Sequence, residues 1–172
     1  MRIKSLSHAG LTVCDFERSV AWYHERFGFF LVSEDRLGPE ATEALFPLYG
    51  VEGASVRMGF LRAPGGGVIE IFEFEPKRAS APTAWNATGF THAALNVSGV
   101  ASWIKRLERR GVDFVVPVQH TGGVDWTFLR DPDGNLLELI DLKASRPALR
   151  LLGGLVGALL ARGKFAGYYG SS

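Results

Sequence analysis

The sequence predicts an α+β protein built from two similar modules, each with the order strand, helix, strand, strand, strand (βαβββ). Three observations lead to this prediction. A short strand pattern with a histidine near its start occurs at 7–13 and again at 91–97. Each copy is followed by a helical pattern that ends at a glycine. Each then continues into strand patterns around a tight turn, so order, caps and turns agree between the copies and indicate an internal duplication.

In the first module, the helix is predicted over 15–27, with Asp15 as its N-cap and Gly28 after its last turn. The strands of this module are predicted at 7–13, 29–33, 55–63 and 68–75, the last two flanking a Pro-Gly-Gly-Gly turn. The segment 34–54 has no counterpart in the second copy. We predict that it is an insertion with a short helix at about 39–49, of the length that often forms a lid or binding loop.

In the second module, the helix is predicted over 98–110, with Ser98 as its N-cap and Gly111 after it. The strands are predicted at 91–97, 113–118, 126–130 and 136–142, the last two flanking Asp-Pro-Asp-Gly-Asn. The predicted organisation is a first module over 1–78, a linker over 79–89, a second module over 90–143 and a C-terminal apolar tail over 144–172.

The C-terminal tail is predicted to be helical because Leu149, Leu152, Val156 and Leu159 recur at helical spacing. Its basic residues could form the rim of a membrane-surface helix. Alternatively, the tail docks on the rest of the chain or across a dimer. The glycines within it weaken its helix propensity, and we favour docking.

Composition excludes several classes of protein. The 172 residues suit one domain or two small modules, and 47% apolar residues can fill a core, which excludes a disordered chain. The net charge of +1, with no basic stripe, argues against a nucleic-acid partner. The single cysteine, Cys14, excludes an internal disulfide framework and fits a reducing compartment. The longest apolar run, 151–161, is too short for a membrane span, so we expect a soluble, cytoplasmic protein.

Four polar residues occupy matching positions in the two copies. His8 and His92 lie on the first strand of each module, and Glu70 and Glu138 lie among large apolar residues on the last strand. One such glutamate could face water on an edge strand, but two at matching positions favour burial. Buried carboxylates need a cation, and neither strand has Lys or Arg nearby. A divalent metal would satisfy both carboxylates, and two nitrogen and two oxygen ligands suit Zn, Ni, Co, Fe or Mn better than Ca.

Three segments carry a family resemblance: S-H-A-G-L-T-V-C-D-F-E-R-S-V-A-W-Y at 7–23, T-H-A-A-L-N-V at 91–97 and D-P-D-G-N-L-L-E-L-I at 131–140. The chain resembles the vicinal oxygen chelate superfamily over residues 5–143. That superfamily includes glyoxalase I, methylmalonyl-CoA epimerase, extradiol dioxygenases and bleomycin-resistance proteins. The resemblance implies two modules whose sheets curl into an open, mixed β-sheet barrel around one divalent metal ion. It implies that the metal ligands are His8, Glu70, His92 and Glu138.

The resemblance also separates the branches of the superfamily. Extradiol dioxygenases use two histidines and one carboxylate, and methylmalonyl-CoA epimerases usually have Gln where this chain has Glu70. Binding-only resistance proteins lack most of the ligand set. The chain therefore resembles glyoxalase I most in its ligands. Glyoxalase I has an Arg and an Asn that contact glutathione where this chain has Thr12 and Phe74, so the substrate is not expected to be a glutathione adduct.

We therefore predict a metal-dependent isomerase or lyase that moves a proton next to a carbonyl group, on a small substrate with vicinal oxygens that the metal chelates. Glu138 is the candidate base, and Glu70 is a ligand or the opposing base. The candidate substrate contacts are Thr12, Phe72, Phe74, Asn96, His120 and Trp126. A homodimer is expected. The alternatives are an extradiol-type Fe(II) dioxygenase, which would consume dioxygen with catechols, and a non-catalytic antibiotic-binding protein, which would bind its ligand without metal or turnover.

Overall fold

The computed structural model describes residues 3, 5–78, 84–143 and 145–168, and the predicted α+β class is confirmed. The first module contains β1 (Ala9–Thr12), α1 (Phe16–Phe27), β2 (Phe30–Leu37), α2 (Pro39–Glu43), α3 (Phe46–Tyr49), β3 (Ser55–Arg62) and β4 (Val68–Glu75). The second contains β5 (Ala93–Asn96), α4 (Val100–Glu108), β6 (Gln119–Thr121), β7 (Val124–Arg130) and β8 (Leu136–Asp141). A long helix, α5 (Ser145–Arg162), and a short 3-10 helix (Ala166–Tyr168) follow.

Each module forms its own four-stranded sheet, with the order β1-β4-β3-β2 in the first and β5-β8-β7-β6 in the second. In both sheets the first strand pairs in parallel with the last strand, and the other neighbours are antiparallel. A parallel pair requires a long crossover, which α1 or α4 and the following strands supply. The two sheets are mixed and open, as the family resemblance implies.

The ends of α1 lie where the sequence predicts them. The Asp15 side chain accepts a hydrogen bond from the Arg18 backbone N–H at 2.9 Å, which satisfies one of the free donors of the first turn. The helix ends at Gly28, whose φ of 73° is a left-handed conformation that costs glycine little. The first turn of the second helix differs. Gly99, with a φ of 70°, is the N-cap of α4 instead of Ser98, and its N–H donates to Asp141 Oδ2.

The predicted strand at 113–118 is wrong. This segment makes a single bridge, between Phe114 and Leu129, and the edge strand of the second sheet is β6. Pro117 explains the difference, because it has no backbone N–H to donate to a neighbouring strand. By contrast, β2 extends beyond its predicted end at 33 to Leu37, because it stays paired with β3.

A single hydrophobic core joins the two sheets. Side chains alternate along a strand, so Ile69 and Ile71 point to one face of β4, and Leu137 and Leu139 point to one face of β8. All four are buried in the same cluster, together with aromatic side chains of α1. The inner face of each sheet is therefore buried in this common core, and α1 and α4 pack against it.

Contacts of α1 with the turn between β7 and β8 join the two modules. The Tyr23 hydroxyl, which is fully buried, donates to Asp131 Oδ2 at 3.1 Å. One turn earlier, Arg18 forms an ion pair with Asp133. At the other end of α1, the Phe27 ring stacks on Trp103 of α4 with centroids 5.8 Å apart. Burial raises the pKa of the Asp131 carboxyl, although hydrogen bonds from Asn135 oppose this shift.

We expect Tyr23→Phe to lower the free energy of unfolding by about 2 kcal/mol at pH 7, because it removes a donor from a buried carboxylate. Burial holds the pKa of Tyr23 well above its ordinary value. The unfolded tyrosine therefore ionises first as pH rises above about 10, and this part of the stability is lost there. The difference between wild type and variant, measured by urea denaturation, should shrink between about pH 9 and pH 11.

Tyr168→Phe is the matched control, because Tyr168 is 86% exposed and should leave stability unchanged at both pH values. Equal stability of wild type and Tyr23→Phe at pH 7 would show that this contact does not hold the modules together.

Candidate functional site

The first candidate half-site is the His8–Glu70 pair. His8 lies just before β1, and Glu70 stands on β4 opposite Gly10 of β1. This parallel pairing brings His8 Nε2 to 2.9 Å from Glu70 Oε2. The Phe60 ring, which stands opposite Glu70 on β3, lies 5.3 Å from the His8 ring.

The second candidate half-site repeats this arrangement. His92 lies just before β5, and Glu138 stands on β8 opposite Ala94 of β5. His92 Nε2 lies 3.3 Å from Glu138 Oε2. The Phe128 ring, opposite Glu138 on β7, lies 5.1 Å from the His92 ring. The duplication therefore preserves a His, a Glu and a Phe in the same mutual positions.

Each histidine is also oriented by the residue before it. Ser7 Oγ lies 3.2 Å from His8 Nδ1, and Thr91 Oγ1 lies 2.8 Å from His92 Nδ1. When the hydroxyl accepts a hydrogen bond from Nδ1–H, the lone pair of the ring is on Nε2, the nitrogen that faces the glutamate. The glutamate side chains are only 16% and 14% exposed. Both modules thus present an imidazole nitrogen and a shielded carboxylate side by side.

The four residues form two separate pairs. Within the described part of the chain, no three His, Cys, Asp or Glu side chains are close enough to hold one ion. The strand alternation explains this separation. Glu70 and Glu138 point away from the core that Ile71 and Leu139 fill, so each pair lies on the outer face of its own sheet.

Aromatic side chains surround the first half-site. Phe72 and Phe74 share the face of Glu70, and their rings stack with centroids 6.3 Å apart. Tyr49 of α3 meets Phe74 edge-on at 5.2 Å. The insertion is held there by Thr42, whose hydroxyl donates to a backbone carbonyl beside β3. The insertion therefore covers one end of the first site face.

The second half-site has its own aromatic wall. Trp126 lies on the same face of the sheet as Phe128, with the two ring centroids 5.6 Å apart. Trp85, which precedes the second module, lies 5.5 Å from the His92 ring and 5.3 Å from the Phe128 ring. A substrate held between such walls would meet mainly apolar surface.

The other predicted substrate contacts are divided between the faces of the sheets. Thr12 pairs with Phe72 and Asn96 pairs with Ile140, so both continue the line of the histidines along β1 and β5. His120 is different. Its Nδ1 lies 2.6 Å from Asp125 Oδ1, and Asp125 points to the face opposite Trp126. Lys143 and His120 together lower the pKa of the Asp125 carboxyl.

The residues that sequence reasoning missed are Ser7, Thr91, Phe60, Phe128, Trp85 and Tyr49. The first four had a signal in the duplication. A hydroxyl residue precedes each histidine, and a Phe stands ten residues before each glutamate across the hairpin turn. Trp85 and Tyr49 had no such signal, because they lie in segments without a counterpart in the other copy.

Comparisons with known proteins agree with this architecture. The family description of the Glyoxalase/Bleomycin resistance protein/Dioxygenase superfamily matches residues 5–139. The chain is 28% identical over 144 residues to the uncharacterized protein YwkD of Bacillus subtilis, an alignment that covers 82% of this chain and 99% of that protein. It is 25% identical over 153 residues to the lactoylglutathione lyase of Schizosaccharomyces pombe, covering 86% of this chain and 50% of the lyase.

A crystal structure of a glyoxalase family protein from Bacillus cereus has the same fold. It superposes with a TM-score of 0.67 at 19% identity and covers 82% of this chain and 95% of that one.

Proposed function

Because this chain belongs to the Glyoxalase/Bleomycin resistance protein/Dioxygenase superfamily, we propose that it is a metal-dependent isomerase or lyase. The proposed reaction is proton transfer next to a carbonyl group of a small substrate. The observation that carries this proposal is the pair of an imidazole nitrogen and a shielded carboxylate, present once in each module.

The residues of the two pairs fit a divalent metal. Ligand atoms at about 2.1 Å from one ion lie roughly 3 Å apart. The Nε2–Oε2 distances of 2.9 Å at His8 and 3.3 Å at His92 are of that size. The hydroxyl groups beside Nδ1 supply the second hydrogen bond that orients a histidine ligand. His8, Glu70, His92 and Glu138 would hold the ion, and two nitrogens with two oxygens suit Zn, Ni, Co, Fe or Mn.

We propose that a second copy of the chain completes each site. One pair offers two ligands, whereas a catalytic ion is commonly held by three or more protein ligands. The histidines adjoin β1 and β5, which are edge strands of their sheets. An edge strand is free to approach a second molecule. The His8–Glu70 pair of one protomer would then face the His92–Glu138 pair of its partner, so a homodimer would hold two sites.

A metal bound there would polarise a carbonyl group and bind two vicinal oxygens. Glu138 is the proposed base that takes the proton from the neighbouring carbon, and Glu70 is a ligand or the opposing base. Both carboxylates are largely shielded from water, which strengthens their interaction with a bound substrate. Phe72, Phe74 and Trp126 would hold the apolar part of that substrate.

We propose that the substrate is not a glutathione adduct. The positions that could pair with the tripeptide's carboxylates hold Thr12 and Phe74 on the outer face. Two cations lie on β3. Arg57 is bound to Glu17 and Glu34 and lies over the Phe16 ring, on the core side. Arg62 stands opposite Val68, at the other end of β4 from Phe74. A carboxylate that loses water without gaining a cation is penalised by several kcal/mol. A smaller molecule with an apolar body avoids that cost.

The metal proposal predicts the behaviour of two single variants. After chelator treatment and equilibrium dialysis against each divalent metal in turn, the wild-type protein should bind about one ion per chain. His8→Ala and His92→Ala should each lose most of this ion, because each removes one of the proposed ligands. His120→Ala is the control, since its ring pairs with Asp125 on the other face and the variant should bind as wild type does.

Metal contents should be measured on dialysed protein by elemental analysis. Full metal content in both histidine variants would show that the ion is bound elsewhere.

The reaction proposal predicts isotope exchange. In deuterium oxide, the metal-loaded protein should introduce deuterium at the carbon next to the carbonyl of a small hydroxy-carbonyl compound. Glu138→Gln should slow the exchange about 10²- to 10⁴-fold, the usual contribution of a general base. Mass spectrometry of the recovered compound measures the exchange, and metal analysis of the variant separates loss of the base from loss of the ion.

One outcome would contradict the reaction proposal, and another would contradict the proposal about glutathione. Ring cleavage of a catechol with dioxygen consumption, and no exchange on any carbonyl compound, would favour the Fe(II) dioxygenase. Turnover of the hemithioacetal of methylglyoxal and glutathione with a kcat/KM of about 10⁴ M⁻¹s⁻¹ or more would show that glutathione adducts are substrates.

A further inference from the structure

The C-terminal helix α5 presents an exposed apolar stripe. Leu152, Leu155, Val156 and Leu159 recur at the spacing of one helix face and are 46% to 63% exposed. The opposite face of this part of α5 consists of Gly and Ala residues. The large aliphatic side chains therefore project from the helix toward solvent instead of toward the core.

The fold is complete without this helix. The family description ends at residue 139, and β8 ends at Asp141, before α5 begins. The relative from Bacillus subtilis is matched over 99% of its length by 82% of this chain, which leaves about 30 residues of this chain unmatched. The two sheets and their core thus do not account for the apolar stripe.

The charge of the tail points to an anionic partner. Residues 142–172 contain five basic residues and no acidic residue. Three of them, Lys143, Arg146 and Arg150, lie before or within the first turns of α5. The others, Arg162 and Lys164, lie at its C-terminal end. The apolar stripe therefore has positive charge at both ends, which is the distribution found in helices that lie on anionic membranes.

The aromatic residues after α5 suit the boundary between lipid and water. Tyr168 is 86% exposed, and the rings of Phe165 and Tyr168 have centroids 6.2 Å apart. The Lys164 ammonium group lies 5.5 Å from the Phe165 ring. Aromatic rings with a polar tip, beside basic side chains, favour the headgroup region of a bilayer.

We propose that α5 and the residues up to Tyr168 bind the surface of an anionic lipid bilayer. The helix would lie in the plane of the interface with its leucines among the acyl chains. Over the described residues, no helix combines the length and the apolar character needed to cross a membrane. Pairing of two tails would bring like charges together at the helix ends, with no acidic residue in the segment to neutralise them. The proposal is independent of the reaction assigned to the His–Glu pairs.

The test is co-sedimentation of the full chain with lipid vesicles. Vesicles of phosphatidylcholine should bind little protein, whereas vesicles with about 30 mol% phosphatidylglycerol should bind at least about tenfold more, and salt should weaken this binding. Leu155→Glu with Leu159→Glu should lower partitioning at least about tenfold by placing charges in the apolar stripe. The loss of one basic residue should lower partitioning about fivefold. The double substitution Arg162→Glu with Lys164→Glu should lower partitioning by more than this factor for each residue.

Leu48→Glu is the matched control, because Leu48 is 74% exposed on α3 and lies outside the tail. It should sediment with anionic vesicles as wild type does, and the melting temperatures of all variants show whether they fold. Equal sedimentation of wild type and both tail variants would overturn the proposal. A second pair of results would also overturn it. If the wild type does not bind vesicles, and its mass by light scattering falls when Leu155 and Leu159 are replaced, the apolar stripe is a protein interface.

Discussion

The contacts of α1 with both modules hold the structure together. Tyr23 and Phe27 bind the turn and the helix of the second module, and their neighbours fill the core that joins the sheets. Once the inner faces are buried in this way, strand alternation leaves Glu70 and Glu138 on the outer faces. The position of each half-site is therefore a consequence of how the two modules are joined.

The hydrogen-bond partners of the carboxylates distinguish those that stabilise the fold from those that are available to bind a ligand. Asp131 is 5% exposed and accepts hydrogen bonds from Tyr23, from the Asn135 side chain and from two backbone N–H groups, so its lone pairs are used within the fold. The Glu70 and Glu138 side chains are 16% and 14% exposed, yet the polar partner of each, among the described residues, is one histidine. A shielded carboxylate with free acceptor capacity is suited to bind a cation.

The duplication made much of the fold and the two pairs predictable. A histidine before the first strand and a glutamate within the last strand meet because those strands pair in parallel, and both copies of the pattern show it. The strand patterns are the same whether α1 packs on the second module of its own chain or on that of a partner. The sequence therefore does not show whether the two pairs meet within one chain. Trp85 and Tyr49 escaped prediction for another reason. They lie outside the repeat, so only tertiary contacts bring them to the site faces.

We propose that each site combines the first module of one protomer with the second module of its partner. The most direct measurement is the metal content of refolded mixtures of His8→Ala and His92→Ala. In a mixed dimer, one site carries both substitutions and the other carries neither, so an equimolar mixture with random pairing should regain about one quarter of the wild-type metal. A mixture that binds no more metal than the separate variants would contradict the account, because sites formed within single chains cannot be restored by mixing.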